Sequence, residues 1–355
     1  MVYDLCIVGA GMFGSAAARH ASVNPALKVC LLGPGEPKKE HYKDREIFSS
    51  HYDEGRITRI VDDDAACPEL CKRSIERYKE LEKLSGVNFY NSIGCLIISE
   101  KHDSYLKQVQ QASNKHVSTV DLSCREAFHK RQVVIFFFIR FQIETEDSTP
   151  TVIRSKRLLI TTGAFINTKL FSVLRSLEVT RYKRSVALLR ISEEEAKRLS
   201  SMPSLIYRGK YDNPPHKERS AYILPPIKYP DGNTYLKIGY YGSDMEVEKL
   251  DDIKQWFLSE GDKESIDLGV KLLFERIPGL KSEEVTSSTC VNCYTPSGLP
   301  YIDRITPTLT VAIAGNGKGA KFSDEVGRLA AKLCIDGLWD SRVSQSRFKA
   351  EFSDD

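Results

Sequence analysis

The sequence predicts an α/β protein in two parts, a parallel sheet flanked by helices and a second, α+β unit built on antiparallel sheet. Three observations predict it. VYDLCIV (2–8) is a nearly continuous apolar run, the pattern of a strand buried on both faces of a parallel sheet. GAGMFG (9–14), the small-residue run SAAARHA and the apolar LKVCLL (27–32) follow it and complete a βαβ unit. Between 177 and 242 the pattern changes: RSVALLRIS, SAYILPP and TYLKIGYY alternate and are separated by turns such as YPDGN, as antiparallel strands are.

The remaining elements follow in order. GPGEPKKE (33–40) is a charged turn, and SSHYDEGRITR (49–59) has neither helical nor strand periodicity although it holds His51, Asp53, Glu54, Arg56 and Arg59. CKRSIERYKELEKL (71–84) places Cys71, Ile75, Tyr78, Leu81 and Leu84 on one helix face. A strand is expected at GCLIIS (94–99), a helix near 101–114, and a short helix behind the Ser123/Glu126 capping-box pattern. VVIFFFI (133–139) has the length of a buried strand, and RLLITTGAF (157–165) reads as a strand ending in a glycine turn. One long polar helical region spans 249–277; then come CVNCYT, the strand TLTVAIAG (308–315), the loop GNGKG and a last helix at 323–336. The runs at 2–8 and 308–315 are expected in one sheet. The chain would then leave the first unit, build the second and return. That assigns 1–85, 151–175 and 285–345 to a nucleotide-binding domain, and 86–150 and 176–284 to a substrate domain.

Bulk properties narrow the function. The 355 residues exceed what one compact core usually organises. With 51 basic and 48 acidic residues the net charge is +3, which gives no reason to expect nucleic acid or an anionic membrane as partner. No apolar run reaches the ~18 residues of a membrane span. MVYDLCIVGAG does not read as a secretory signal, and KAEFSDD carries no SKL-type peroxisomal address. Nine cysteines, an odd number, favour free thiols in a reducing compartment. The expectation is a cytoplasmic monomer that acts on a small molecule, with a peroxisomal location left open.

Gly9, Gly11 and Gly14 form G-x-G-x-x-G between a strand and a helix. The first allows a tight turn, the second lets backbone approach a pyrophosphate, and the third lets helix and strand pack closely, which is the Rossmann-like arrangement. The acid that usually follows the second strand to hold the ribose hydroxyls is replaced by Gly33; Glu36, three residues on, is the candidate substitute, and the turn alone leaves NAD and FAD open.

TCVNCYTPSGLPYID (289–303) and AGNGKGAKFS (314–323), taken with GAGMFG and SHYDEGRITR, resemble the FAD-dependent amine oxidases of the sarcosine oxidase family. That family includes pipecolate, saccharopine and fructosyl amino acid oxidases and has a D-amino acid oxidase-like fold. The resemblance implies a Rossmann-like FAD-binding domain, an antiparallel-sheet substrate domain, and oxidation of a secondary amine or N-substituted amino acid with O2 as acceptor and H2O2 as product. It implies that Ser50, His51, Gly317 and Gly319 lie at the cofactor. Arg59 and Lys321 would bind the substrate carboxylate, and Arg56 would lie near the flavin. Lys237 would promote the reaction with oxygen, and Cys290 would bond the flavin covalently. Lys318, Tyr52 and Tyr241 stand where the family tends to have histidine, which puts the substrate in question. Several dozen family residues are missing between 130 and 143, where only RQVVIFFFIRFQ stands; this reads as an internal deletion.

Blander readings compete at each position. Arg56 and Arg59 also fit a solvated charged loop. Lys237, flanked by Leu236 and Ile238, also fits a strand lysine facing water. Cys290 and Cys293 also fit a C-x-x-C redox or zinc pair. For the whole chain, an impaired isoform of such an oxidase and an NAD-dependent dehydrogenase are the alternatives.

Overall fold

Leu5–Val8, in the first apolar run, is the fourth strand of a five-stranded sheet, while Val2–Tyr3 pairs separately with Arg154–Ser155. In this computed structural model the described residues are 1–35, 39–49, 53–99, 104–116, 135–136, 153–166, 171–209, 219–242 and 244–353. The sheet order is Tyr301–Arg304, Leu309–Ile313, Leu158–Ile160, Leu5–Val8, Val29–Leu32, and all pairs are parallel except the first. The runs at 2–8 and 308–315 therefore share a sheet, with Leu158–Ile160 between them.

Helix Met12–Ser22 and helix Ser323–Asp336 cover this sheet together. They approach so closely that a Cβ on Gly327 would fall 2.5 Å from the Ala16 Cβ and 2.6 Å from the Ala17 nitrogen. The small residues of SAAARHA make that approach sterically feasible. Ala17, Ala21, Leu5, Ile7, Val326 and Leu329 are buried where the layers meet. Helix Ala66–Ser85 packs on the same core through Cys67, Leu70 and Cys71. It begins five residues before the expected start. Its far end runs past the core, so Leu84 is 71% exposed and the expected apolar stripe ends at Leu81. Gly86, at φ +69°, stops the helix in the left-handed conformation.

The second unit is a seven-stranded sheet that contains Cys95–Ser99 and the strands between 180 and 294. Its pairs are antiparallel except Cys95–Ser99 with Ser204–Gly209, which is parallel. Pro225 and Pro226 in SAYILPP lack amide hydrogens, and the register shifts there between Leu224 and Ile227. The helical region at 249–277 is two helices, Leu250–Phe257 and Lys263–Arg276. Gly261 at φ +86° breaks the path, and the Asp262 side chain caps the second helix by accepting from the Ser265 amide at 3.0 Å. Strand Glu284–Tyr294 pairs along its length with Thr180–Ile191 before the chain returns to the parallel sheet, so the expected boundary at 285 falls inside that strand.

The span that seemed irregular in sequence contains a two-residue strand, Arg56–Ile57, paired with Ile135–Phe136. The rest of VVIFFFI, with Ser123 and Glu126, lies outside the described residues. Among the described residues no helix is long and apolar enough to cross a membrane.

Three helices are tied by a buried charge network around Asp324. Arg19 and His20 reach it from the first helix, and Arg77 donates to it at 2.5 Å from the helix Ala66–Ser85. Burial alone would push the Asp324 carboxyl up; the His20 hydrogen bond and the Arg77 and Arg19 charges outweigh it and hold the group below the ordinary carboxylate range. A depressed carboxylate stabilises the fold at pH values above its unfolded pKa of roughly 4, and that contribution disappears as pH falls below it. Asp324→Asn is expected to cost about 3 kcal/mol at pH 7 and to flatten the decline of Tm between about pH 4 and pH 2. Thermal melts across that range check this; an unchanged Tm and an unchanged acid slope would refute it.

Candidate active site

The glycine turn is built by contacts that exclude side chains. Gly9 sits at φ +114°, and a Cβ there would lie 2.6 Å from the Thr161 carbonyl carbon and oxygen. A Cβ on Gly14 would run into the Gly9 carbonyl oxygen. The Thr161 hydroxyl donates toward Val8 O at 3.1 Å and Gly9 O at 2.7 Å, which fixes the turn from the neighbouring strand. Helix Met12–Ser22 starts with Gly11 as N-cap, with no side-chain cap and no acid in its first turn. Its first amides are thus left to an anionic ligand. Gly33 has its own steric reason: a Cβ would lie 2.6 Å from the Ala10 nitrogen. An acid cannot stand there without pushing the turn away. Glu36, the expected substitute, lies outside the described residues.

From this turn one cavity of about 1410 Å³ runs to the far end of the site. Gly9, Gly11, Arg56, Arg59, Cys290, Gly317, Gly319 and Lys321 line it, so eight of the expected residues meet on one surface. Gly14 lies under the turn. Lys237 stands behind the wall, fully buried. Ser50 and His51, with Tyr52, lie outside the described residues. The Thr162 hydroxyl also lines the cavity, buried and without a partner among the described residues.

Two charge clusters shape the far end. In the first, Asp53 pairs with both Arg56 and Lys237, and Lys237 also donates to Gly55 O at 3.1 Å. Lys237 is therefore no solvated strand lysine. Burial pushes its ammonium pKa down, and Asp53 pulls it back only partly. Burial would raise the Asp53 carboxyl, but Arg56 and Lys237 together hold it below the ordinary range.

In the second cluster Asp62 is wholly buried and accepts from three cations. Lys318 reaches Oδ1 at 2.8 Å, Arg59 reaches Oδ2 at 3.3 Å, and Lys321 also pairs with Oδ2. Lys318 touches Asp63 as well, at 3.2 Å. Burial opposes charge on Asp62; Lys321 and Arg59 outweigh it and keep the carboxyl well below its usual range. Asp62 in turn raises the Arg59 and Lys318 pKa values against the effect of burial. Neither arginine belongs to a solvated loop.

Cys290 faces the cavity from strand Glu284–Tyr294, and Trp256 Nε1 donates to its carbonyl at 3.1 Å. Burial pushes its thiol pKa up, and Arg56 is the largest opposing influence. Cys293 joins the apolar cluster with Ile160, Leu174 and Val311, and burial pushes its thiol up to about 12. Residues three apart on a strand point to opposite faces, so the two cysteines do not form a redox or zinc pair. Both are free thiols, and among the described residues no group of His, Cys, Asp and Glu can hold a metal.

The loop before the last helix carries Ala314, Asn316 and Gly317 at positive φ. Asn316 braces it by accepting from the Thr295 amide at 3.0 Å and donating to Ala314 O at 2.8 Å. Sequence reasoning named Asp53 only as part of a charged span and passed over Asp62, Thr161 and Arg184. The signal for the acids was the three-residue spacing Asp53, Arg56, Arg59, Asp62. Thr161 left none. Arg184, which lines the cavity beside Tyr241 and pairs with Asp244 at 2.6 Å, left none either.

The family described as FAD dependent oxidoreductase matches residues 4–137 and 122–333. The chain belongs to this family. FAD is therefore its cofactor, and the turn, the uncapped helix start and the Thr162 hydroxyl, without a partner among the described residues, suit that group. No curated protein matches this FAD-dependent oxidoreductase in sequence. Among solved structures it is similar to an open form of a point mutant of NikD, an unusual amino acid oxidase essential for nikkomycin biosynthesis. The TM-score is 0.73 at 14% identity, covering 99% of this chain and 98% of that one. It is also similar to L-proline dehydrogenase from P. horikoshii, with TM-score 0.68, 14% identity, and 98% and 96% of the two chains covered. Amadoriase II, the deglycating fructosamine oxidase from Aspergillus fumigatus, gives TM-score 0.66, 14% identity, and 98% and 89% coverage. At such identities the likeness is one of fold.

Gly14→Ala forces the turn open. It is expected to abolish retention of FAD through purification and to lower stability by about 2 kcal/mol. Absorbance near the flavin bands and a thermal melt measure both, and a variant as yellow as the parent would count against this account of the turn.

Proposed function

We propose that this FAD-dependent oxidoreductase oxidises the C–N bond of a secondary amine or N-substituted amino acid. The observation that carries the proposal is the gathering of Arg59, Lys318 and Lys321 on the same cavity as Arg56 and Cys290. A carboxylate-bearing amine matches such a cation wall. Arg59 offers a planar fork for a carboxylate, and the lysines add point charges. Holding that end of the substrate fixes the position of its carbon–nitrogen bond, which is catalysis by orientation.

FAD when bound supplies the two-electron acceptor. The substrate C–H hydrogen leaves as hydride and the N–H hydrogen as a proton, and water hydrolyses the resulting imine. O2 takes the two electrons and two protons to become H2O2. Arg56 and Lys237 both pair with Asp53, and in this reading their positive charges stabilise negative charge that develops in the cavity. Cys290 is the residue proposed to tether the cofactor, and the burial of its thiol makes the thiolate scarce at neutral pH.

A second reading, an impaired form that retains FAD weakly, draws on one observation: the family match falls into two pieces that overlap at 122–137, beside the segment that reads as shortened.

The purified protein is expected to be yellow, to keep its flavin fluorescence on a denaturing gel, and to release peroxide with N-methylglycine or pipecolate. Colourless folded protein would favour the impaired form. Cys290→Ser is expected to stay yellow but lose flavin on denaturation. Because the thiol pKa is raised, covalent incorporation into apoprotein should speed up as pH rises from about 7 to 9; a flat profile would remove the thiolate step. Arg59→Gln should raise KM for the amino acid about 100-fold, with a smaller change in kcat.

A further inference from the structure

Cys290, Asn292 and Tyr294 alternate along strand Glu284–Tyr294, so their side chains share one face, and all three line the cavity. Asn292 follows Cys290 by two residues, about 6.8 Å along the strand. On its other side stands the loop that brings Lys318 and Lys321. The Asn316 amide fastens that loop to the strand by donating to Cys293 O at 3.0 Å. Gly317 is the point of contact: a Cβ there would lie 2.9 Å from the Tyr294 hydroxyl and 3.1 Å from Asn292 Nδ2. Asn292 thus sits between the cysteine proposed as tether and the loop of cations.

Its carboxamide is used in part. Nδ2 donates to the Tyr294 hydroxyl at 3.4 Å, and among the described residues no hydrogen bond ends on Oδ1. An acceptor is therefore left on this wall. The other charged groups there do not supply one. Arginine and lysine side chains only donate. The carboxylates Asp53, Asp63 and Asp244 are each engaged by a cation. With a substrate carboxylate on Arg59 and Lys321, the amine one carbon away falls beside the same loop, within reach of Asn292.

We propose that Asn292 is a specificity-determining residue: its carboxamide oxygen accepts the N–H of the substrate, so the site selects a secondary amine and discriminates against a tertiary one. This rests on the proposed oxidation of a carboxylate-bearing amine in this cavity. A secondary amine in its uncharged, reacting form keeps one N–H. A tertiary amine keeps none and would turn an alkyl group to the amide, so Oδ1 would lose water without gaining a hydrogen bond.

The test uses FAD-loaded protein and two planar acids of nearly the same shape, pyrrole-2-carboxylate and furan-2-carboxylate. The first has an N–H next to the carbon that bears the carboxylate, and the second has an oxygen there. Binding is read by calorimetry and by perturbation of the resting flavin spectrum, not by turnover. The parent protein should prefer the pyrrole acid about tenfold. Asn292→Leu keeps much of the side-chain volume and removes the acceptor, and should bring the two affinities together. Asn292→Ala carries the same test if Asn292→Leu does not fold. Asn292→Asp keeps an acceptor and should retain the preference while its charge weakens both acids. N-methylglycine should outcompete N,N-dimethylglycine as substrate in the parent, and by less in Asn292→Leu. A purely structural role for Asn292 would weaken both acids alike, so a pyrrole-to-furan ratio unchanged in the folded Leu or Ala variant overturns the proposal. If Arg59→Gln weakens both acids while the Asn292 variants leave the ratio fixed, carboxylate binding at Arg59 stands and only the role of Asn292 falls. If the parent binds neither acid, or Arg59→Gln binds both as the parent does, the carboxylate reading falls and this inference goes with it.

Discussion

Buried cations need carboxylates close by to offset the loss of water, and that pairing organises the site. Arg56 and Lys237 are bound by Asp53; Arg59, Lys318 and Lys321 are bound by Asp62. Stripping water from any of these groups alone would cost several kcal/mol. Each acid offsets that cost and fixes where the cation points. The two arginines and two acids fall every third residue from 53 to 62, so one short span supplies the pivot of both clusters. The lysines arrive from strand Thr234–Tyr241 and from the loop before the last helix.

The architecture makes those arrivals possible. Strand Glu284–Tyr294 pairs with Thr180–Ile191 and then feeds the edge of the parallel sheet, so Cys290 faces the cavity that begins at the glycine turn. The turn is shaped by what it excludes. Gly9 and Gly14 leave room for Thr161 and for each other, and Gly33 leaves room for Ala10. The last of these explains why no acid follows the second strand: the closeness of the turn to that strand outweighs a contact to ribose.

Some of this was legible because the chemistry is local. G-x-G-x-x-G after an apolar run specifies strand, turn and helix within a few residues, and the close helix contact follows from SAAARHA. Alternation marked the antiparallel strands. The break of the 249–277 region at Gly261 was local too, but the polar composition on both sides concealed it. Leu84 was misplaced because helical periodicity defines a stripe without defining how far the core extends beneath it.

Lys237 shows where local reading stops. Alternation put it on the face opposite Leu236 and Ile238, and that face could have been water or protein. Asp53, 184 residues earlier in the chain, decided the matter. Cys290 and Cys293 looked like one motif until the strand placed them on opposite faces. By itself the sequence determined the glycine turn, the strand patterns and the two kinds of sheet, because those depend on neighbours a few residues apart. Only the tertiary structure decided which charges are buried and which carboxylate each cation meets, because desolvation and pairing depend on residues that the chain separates and the fold brings together.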